Sequence, residues 1–519
     1  MKHPIIKWLI IFSVIYPVVP FLSSRLPETG HEAFAQTGTE IPTSTSAAGT
    51  AESGTTSYGD PSAKVFGVLA LLVSCAAIGR LGAVKLKQSP VLGELAVGIV
   101  VGAILYQLGS PTVIIIRHSS AIQRTAECSL EAGKDWEATV RSRLELSGLS
   151  HEVSERVERV LTRGDFPTFQ LLARSIQLFA AFGVVMLLFM VGLEVSLKEL
   201  NEIGVNASAV ALTGVAVTFS LACFTTLILL PKTAGFMPPL FAGAALCATS
   251  IGITARIFKD MKRLGMTEAK TVLGAAVLDD VLGLIVLSVV TAIAIHGTVK
   301  VGNLFWILLK TAIFLGAVVI FGSRFLDKTV RFLSRLDFGN IKLLYPFALL
   351  MLLAWAADKI GLAAIIGAFA AGVIIKEESF SGVGPGLDPE QSVESILASL
   401  EGILAPVFFV LIGLQVDVTA LGNAKVLLTG LILTAVAAAG KLASAIGLRG
   451  EADRLIVGIG MLPRVEVALI VASIGKSLDV LDDALYSVII MVVLLTVLMT
   501  PPLLKWAIER RTERPGITN

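Results

Sequence analysis

Charged residues are scarce in this 519-residue chain. Asp, Glu, Lys and Arg make up 16% of the sequence, whereas about 25% is usual in soluble globular proteins. The net charge is only +2, so no nucleic-acid partner is expected. Hydrophobic residues reach 55%, and apolar runs of about 20 residues, long enough for a helix to cross a bilayer, recur along the chain. The composition predicts an all-α polytopic membrane protein, with the lipid bilayer as its partner, and excludes a string of soluble domains.

Cysteine is also rare, with four residues in the chain. Cys75, Cys223 and Cys247 fall inside predicted membrane spans, and only Cys128 falls in a predicted outer loop. No intramolecular disulfide can therefore form in that loop.

The N-terminus resembles a secretory signal peptide. Lys2 and Lys7 precede or enter an apolar stretch, and residues 33–35 read Ala-Phe-Ala, a small-residue cleavage site. We predict a signal peptide over residues 1–35. An uncleaved anchor helix is the alternative, because the gap between the apolar stretch and the cleavage site is long. Residues 36–61 are rich in Ser, Thr, Gly and Ala, which predicts a disordered outer tail.

Thirteen membrane spans are predicted after this tail. They lie near residues 65–80, 88–107, 170–195, 206–230, 239–256, 269–296, 302–323, 343–358, 360–376, 394–415, 424–446, 454–474 and 481–504. The chain then divides into first membrane helices (62–116), an outer insertion (117–169), the remaining transmembrane helices (170–505) and a tail (506–519). Lys and Arg are concentrated in the loops of one side, which predicts that these loops and the C-terminus are cytoplasmic.

Two matched pairs of spans indicate an internal repeat. The second span reads VLGELAVGIVVG and the ninth reads IIGAFAAGVII, each with two glycines five residues apart. The third span ends with FMVGLEV and the tenth ends with VLIGLQV. If each repeat has six spans, the seventh is a connector that carries the chain across the membrane, so the second repeat is inverted. We predict this 6+1+6 arrangement of inverted repeats, with a functional site near the membrane midplane, as in carriers.

The repeat also reveals the insertion. Gly93 and Gly192 are 53 residues further apart than their counterparts Gly367 and Gly413, and this difference matches the polar stretch 117–169. We predict that the insertion contains a short helix that caps the outer side, and a loop without function is the alternative. The apolar face of this helix would consist of Val153, Val157, Val160 and Leu161.

The sixth span carries two adjacent carboxylates, Asp279 and Asp280, near its middle. An ionisable residue there costs about 2.5–3.5 kcal/mol on insertion scales, so it is a functional candidate. Two carboxylates so close together cannot both ionise easily in a low dielectric, and one of them can exchange a proton for a cation. A purely structural pair is the alternative. Lys441, in the eleventh span, is expected to pair with one aspartate, unless its stem snorkels to the interface.

The fifth and twelfth spans both look broken. Thr249 and Ser250 interrupt the fifth span with hydroxyl groups, which are hard oxygen donors suited to Na⁺ or Li⁺. Pro463 interrupts the twelfth span because it lacks a backbone donor. Arg464 and Glu466 beside it are expected to pair locally, with each other, and to hold the break in shape; direct contact with the ion is the alternative. Broken helices that face each other provide free carbonyls and helix-end dipoles near a bound ion.

These motifs resemble the NapA–Kef branch of the monovalent cation:proton antiporters. The resemblance covers residues 62–505 apart from the insertion, and the paired aspartates followed by a lysine are its most diagnostic part. The ordered motifs are VLGELAVGIVVG, LLFMVGLEV, ATSIGITARIF, VLDDVLG, AAAGK and GMLPRVEVALI.

The resemblance implies a homodimer in which each chain has a dimerisation domain and a mobile core domain, with the fifth and twelfth helices crossing as broken helices. It implies that Asp280, helped by Thr249 and Ser250, binds Na⁺ or a proton in an elevator-like cycle. It also implies that Asp279 pairs with Lys441 and that two protons are exchanged for one Na⁺, with no cofactor and no enzymatic activity. A K⁺/H⁺ antiporter or K⁺ efflux protein of the same fold remains the alternative. An intramembrane aspartyl protease is excluded, because adjacent aspartates on one helix cannot converge on a shared proton.

The chain departs from this family at both ends. Kef-type members carry a C-terminal nucleotide-binding domain, whereas no G-x-G-x-x-G unit follows the last span here, so we expect no such regulatory domain. The Ala-x-Ala site resembles cyanobacterial members. This implies an inner (plasma) membrane or a thylakoid membrane location, with the N-terminus outside or lumenal.

Overall fold

The structure is a computed structural model that describes residues 61–512 with gaps. The gaps are 126–139, 145–150, 195–203, 232–234, 297–308, 331–340, 381–391 and shorter stretches, five of them between 311 and 327. The predicted signal peptide, nearly all of the predicted outer tail, most of the predicted seventh span and the last residues of the C-terminal tail lie outside the described residues.

The described part of the chain is helical and contains no β-strand. Its helices are α1 (Pro61–Lys85), α2 (Pro90–Gln107), α3 (Pro111–Arg117), α4 (His151–Leu161), α5 (Phe166–Glu194), α6 (Val205–Leu229), α7 (Met237–Cys247), α8 (Ile251–Asp260), α9 (Thr267–His296), α10 (Ile341–Lys359), α11 (Ala364–Ile374), α12 (Val393–Gln415), α13 (Val418–Leu421), α14 (Ala424–Ser444), α15 (Arg454–Gly460), α16 (Glu466–Ser477) and α17 (Asp483–Thr512). Within the described residues, nine helices are long and apolar enough to cross a membrane. The prediction of an all-α polytopic membrane protein is confirmed, while the count of thirteen spans stays a prediction.

Helix packing divides these elements into two bundles. In the first bundle, α12 packs against α2 and α5, α5 packs against α11, and α1 and α10 join through α2 and α11. In the second bundle, α6 packs against α7, α9 and α14, and α15, α16 and α17 complete the group. The broken spans and the helix with the paired aspartates all belong to the second bundle.

Glycines let helices of the first bundle approach closely at two points. A Cβ atom on Gly98 would lie 2.4 Å from the Val410 carbonyl oxygen and 3.0 Å from Gly413 Cα. Gly192 and Gly372 meet in a similar way, because a Cβ atom on Gly192 would lie 3.1 Å from Gly372 Cα. The first contact joins the second and tenth spans, and the other joins the third and ninth. Exchanging the two repeats converts one contact into the other, which agrees with a pseudo-two-fold relation, although the inversion itself stays a prediction.

The outer insertion rests on the end of the first bundle that is predicted to face outward. Its helix α4 buries Val157, Val160 and Leu161, and the Arg156 guanidinium donates to the Tyr106 carbonyl oxygen at 2.9 Å. The preceding helix α3 is buried along its whole length. It was not predicted, because seven residues are too few to establish a helical period.

Both interruptions that the sequence predicts are present. Residues 248–250 separate α7 from α8, and residues 461–465 separate α15 from α16. The breaks cross each other, since the Ser250 N–H donates to the Pro463 carbonyl oxygen at 2.8 Å. At a break, backbone groups lose their intrahelical hydrogen-bond partners. Here some of them form hydrogen bonds with the opposite break instead.

Candidate functional site

Threonine side chains join the two breaks at their crossing. The Thr249 hydroxyl donates to the Met461 carbonyl oxygen at 3.1 Å, and the Thr254 hydroxyl donates to the Gly460 carbonyl oxygen at 2.8 Å. Thr249 and Ser250 are each 2% exposed. A hydroxyl that donates its proton keeps oxygen lone pairs that can accept a hydrogen bond or bind a cation. The structure therefore places both predicted oxygen ligands at the crossing.

Thr254 does not stand out in the sequence as a member of this site. It lies four residues after Ser250, one helical turn into α8, and its side chain is fully buried. Residues four apart share a face of a helix, and this spacing was the signal that could have identified it.

Arg464 fills the crossing with a fully buried guanidinium. Nε donates to the Leu246 carbonyl oxygen at 2.6 Å, Nη1 to that of Leu462 at 2.8 Å and Nη2 to that of Ala437 at 2.8 Å. Leu246 lies in the last turn of α7 and Leu462 lies two residues beyond the end of α15, and the dipole is negative at the C-terminal end of a helix. The structure differs here from the predicted pair with Glu466, since no ion pair joins these two side chains among the described residues. Glu466 is instead the first residue of α16, where a carboxylate complements the helix dipole.

A fully buried ion pair belongs to the same bundle. Lys441 Nζ, from α14, donates to Asp279 Oδ1 at 2.9 Å and to Oδ2 at 2.8 Å. Both side chains are 0% exposed. Removing two charges from water costs several kcal/mol per ion, which only a well-formed pair can offset. The structure thus brings Lys441 to one of the two aspartates, and the snorkelling alternative does not apply.

The paired aspartates lie one turn from the point where α9 contacts the crossing. A Cβ atom on Gly283 would lie 3.3 Å from Ala248 Cβ and 3.6 Å from Val467 Cγ1; Ala248 lies in the first break, and Val467 lies just after the second. Residues three and four apart share a face of a helix, so Asp279 and Asp280 occupy the face that meets the crossing. Asp280 is 5% exposed. Two carboxylates, one ammonium, one guanidinium and three hydroxyls are therefore gathered in a buried region of a membrane bundle.

Comparison with known proteins places this arrangement in a family. The family model described as "Sodium/hydrogen exchanger, transmembrane" matches residues 68–509. The high-affinity Na⁺/H⁺ antiporter NhaS3 of Synechocystis sp. is 32% identical over 461 residues, which cover 86% of this chain and 92% of the relative. The Na⁺/H⁺-K⁺ antiporter GerN of Bacillus cereus is 33% identical over 328 residues, which cover 62% of this chain and 81% of the relative.

A solved structure has the same fold. The sodium proton antiporter MjNhaP1 of Methanocaldococcus jannaschii superimposes with a TM-score of 0.58 over 85% of this chain and 99% of that chain, at 16% sequence identity. The match to the family model covers most of the chain, including both breaks and the paired aspartates. The chain belongs to the sodium/hydrogen exchanger family of multi-pass membrane proteins.

Proposed function

We propose that this protein exchanges Na⁺ for protons at Asp280, beside the crossing of the two broken helices. The observation that carries the proposal is the fully buried ion pair between Asp279 and Lys441, next to a second carboxylate one turn from the crossing. The negative charge of a buried carboxylate that has a cationic partner is already balanced, so it does not require a second cation. Its neighbour can then alternate between a proton and Na⁺.

The ligands proposed for Na⁺ are oxygen atoms of the crossing. Ionised Asp280 supplies the negative charge, and the hydroxyl oxygens of Thr249 and Ser250 supply neutral ligands. Such hard oxygen donors suit Na⁺ and Li⁺. Because Na⁺ and the proton compete for one carboxylate, protonation of Asp280 from the opposite side of the membrane releases the cation.

Coupling follows from the cost of charge in hydrocarbon. In the proposed elevator-like cycle the second bundle moves against the first, which forms the interface of a homodimer. An empty site with an ionised Asp280 is costly to carry through a low dielectric. Occupied states, with either Na⁺ or a proton on Asp280, cross more readily, and this difference suppresses uncoupled leak.

The Asp279–Lys441 pair is proposed to make the exchange electrogenic. If the pair opens and takes part in proton binding during the cycle, two protons move for each Na⁺ and one net charge crosses the membrane. The membrane potential contributes about 2.3 kcal/mol per charge per 100 mV, so it can drive Na⁺ out of the cell. Asp279→Asn should therefore reduce the response of exchange to an imposed potential.

The decisive experiment is Na⁺-driven proton flux in proteoliposomes. We expect Asp280→Asn to abolish the flux, because an amide cannot hold the exchanged proton. Asp165→Asn, which removes a carboxylate from an ion pair with Arg163 outside the bundles, is the matched control and should keep wild-type flux. Exchange by Asp280→Asn above the background of empty liposomes would contradict the assignment.

K⁺ is the second candidate cation, because the relative GerN is named as a Na⁺/H⁺-K⁺ antiporter. Thr249 and Ser250 provide oxygen ligands that do not by themselves distinguish Na⁺ from K⁺. Flux measured with Na⁺, Li⁺ and K⁺ in competition decides between them. If K⁺ displaces Na⁺ at equal concentration, the protein is a K⁺/H⁺ antiporter or exchanges both ions.

A further inference from the structure

A cavity of about 500 Å³ lies between the two bundles at their predicted outer ends. Its walls come from α5, α11 and α12 of the first bundle, from α16 of the second, and from the segment that follows α3. The polar residues that line it include Ser119, Gln123, Gln177, Gln415, Ser473 and Lys476. Amide and hydroxyl groups make this wall suitable for a hydrated cation. The Lys476 ammonium on the same wall, however, carries a positive charge of its own.

The Lys476 ammonium is held by three groups. Nζ lies 2.5 Å from Asp483 Oδ1 and 3.4 Å from the Gln415 carbonyl oxygen. It also lies 4.8 Å from the centroid of the Tyr486 ring. The lysine side chain is only 11% exposed. Asp483 is thus the carboxylate that balances the ammonium charge.

Asp483 has a second partner in the segment that follows α3. His118 Nδ1 lies 3.7 Å from Asp483 Oδ2, and His118 Nε2 lies 3.2 Å from the Tyr106 hydroxyl. Lys476 and Asp483 belong to the second bundle, whereas Tyr106 and the Gln415 carbonyl belong to the first. The cluster therefore fixes where the Asp483 carboxylate lies relative to Lys476 and the cavity wall.

The charge on Lys476 matters for any cation that enters this cavity. Two like charges repel each other over several ångströms, and the repulsion is strong where the effective dielectric constant is near 20. A carboxylate in contact with the ammonium cancels most of this field at the cavity. Without that carboxylate, an unpaired ammonium would oppose the entry of Na⁺.

We propose that Asp483 is a positioning residue for cation entry from the outer face, which acts by holding and neutralising the Lys476 ammonium on the wall of this cavity. The inference rests on the proposed Na⁺/H⁺ exchange. The residues involved lie outside the Asp280 site. The expected effect is a change in the KM for Na⁺ at the outer face of the membrane and not at the inner face.

The test is the KM for Na⁺ measured separately from each face, in right-side-out and inverted vesicles at constant ionic strength. We expect Asp483→Asn to raise the KM for outer Na⁺ about tenfold, with an unchanged KM for inner Na⁺ and a maximal rate near that of the wild type. Lys476→Gln should leave the outer KM unchanged or lower it. The double variant Asp483→Asn/Lys476→Gln should restore the wild-type outer KM, which a merely structural role of Asp483 would not do.

Asp165→Asn is the control. It removes the carboxylate of an ion pair with Arg163, away from this cavity, and should change neither the outer nor the inner KM. The inference is overturned if the outer KM of Asp483→Asn is unchanged, if both faces change alike, or if the double variant is no better than the single one. If Asp483→Asn does not fold, a rise in outer KM for Lys476→Gln overturns it. A wild-type protein without Na⁺-driven proton flux would instead refute the proposed function, so the two failures are distinguishable.

Discussion

Lys441 and Asp279 form an ion pair in which one ammonium donates to both carboxylate oxygens and neither side chain reaches solvent. The two residues are 162 positions apart in the chain, and they connect α14 to α9 within the second bundle. The pair therefore ties the helix of the paired aspartates to a neighbour from the other predicted repeat.

Lys441→Met should destabilise the protein strongly. It leaves the buried Asp279 carboxylate without its partner, and breaking a buried pair costs about 3–5 kcal/mol of unfolding free energy. The double variant Lys441→Met/Asp279→Leu should regain much of the loss, because it removes both charges. Thermal unfolding of the purified protein in detergent measures both the loss of stability and its recovery in the double variant. Lys505→Met, which breaks an exposed pair with Glu509, should cost about 1 kcal/mol or less, and an equal loss in both single variants would contradict the prediction.

Arg464→Lys should also destabilise the crossing, although it keeps the charge. The guanidinium reaches three carbonyls that lie on three segments, and a lysine ammonium cannot reproduce this planar fork. At least one carbonyl is then left unsatisfied, at about 1–3 kcal/mol each. The measurement is again the thermal midpoint, with Arg163→Lys at an exposed site as the control. A midpoint for Arg464→Lys within error of the wild type would show that the guanidinium fork is dispensable.

Gly413→Ala should separate α12 from α2. A Cβ atom there would lie 2.5 Å from the Leu95 carbonyl oxygen, so one of the two backbones must shift, and overpacking costs about 1–3 kcal/mol. Gly402→Ala on the same helix is the matched control, because nothing lies within 4 Å of its Cβ position and alanine has the higher helix propensity. The two variants should therefore change the thermal midpoint in opposite directions. Equal midpoints would refute the close contact.

Local patterns in the sequence are enough to predict most of the site, but its partners depend on the fold. Hydropathy and two adjacent carboxylates identify α9, and Pro463 marks one break. Two of the three carbonyls that accept from Arg464, those of Leu246 and Leu462, are available because two helices stop and cross there, and no short motif records this. For that reason Arg464 was expected to pair with Glu466, its neighbour in sequence. The contact of His118 with Asp483 is equally long-range, and it too has no sequence signature.

Burial keeps the His118 imidazole neutral in the folded protein. Burial lowers the pKa of His118 from 6.5 to about 4; Asp483 and Asp417 oppose this change, and Lys476 and Arg117 add to it. Below pH 6.5 the unfolded chain binds a proton that the folded protein does not accept until the pH is near 4. The stability that this group contributes is therefore present above pH 6.5 and is lost as the pH falls from 6.5 to about 4.

This loss can be measured as the slope of stability against pH. A difference of this size in pKa corresponds to about 3 kcal/mol, so the wild-type unfolding free energy should fall between pH 6.5 and 4. His118→Gln should flatten the slope in this window, because it removes the titrating group. His151→Gln, at an imidazole that is 90% exposed, should leave the slope unchanged. Parallel curves for the wild type and His118→Gln would contradict the assignment.

Thr249→Val and Thr254→Val should separate cation binding from helix packing. Both hydroxyls donate to carbonyls of the opposite break, so each substitution leaves a carbonyl without a donor and should lower the thermal midpoint by a similar amount. Of these two threonines, Thr249 is a proposed Na⁺ ligand and Thr254 is not. Its loss should therefore also raise the KM for Na⁺, by about tenfold if one hydroxyl ligand contributes as much as a net hydrogen bond. If the KM rises equally in both variants, the crossing acts on Na⁺ only through its shape, and Thr249 is not a ligand.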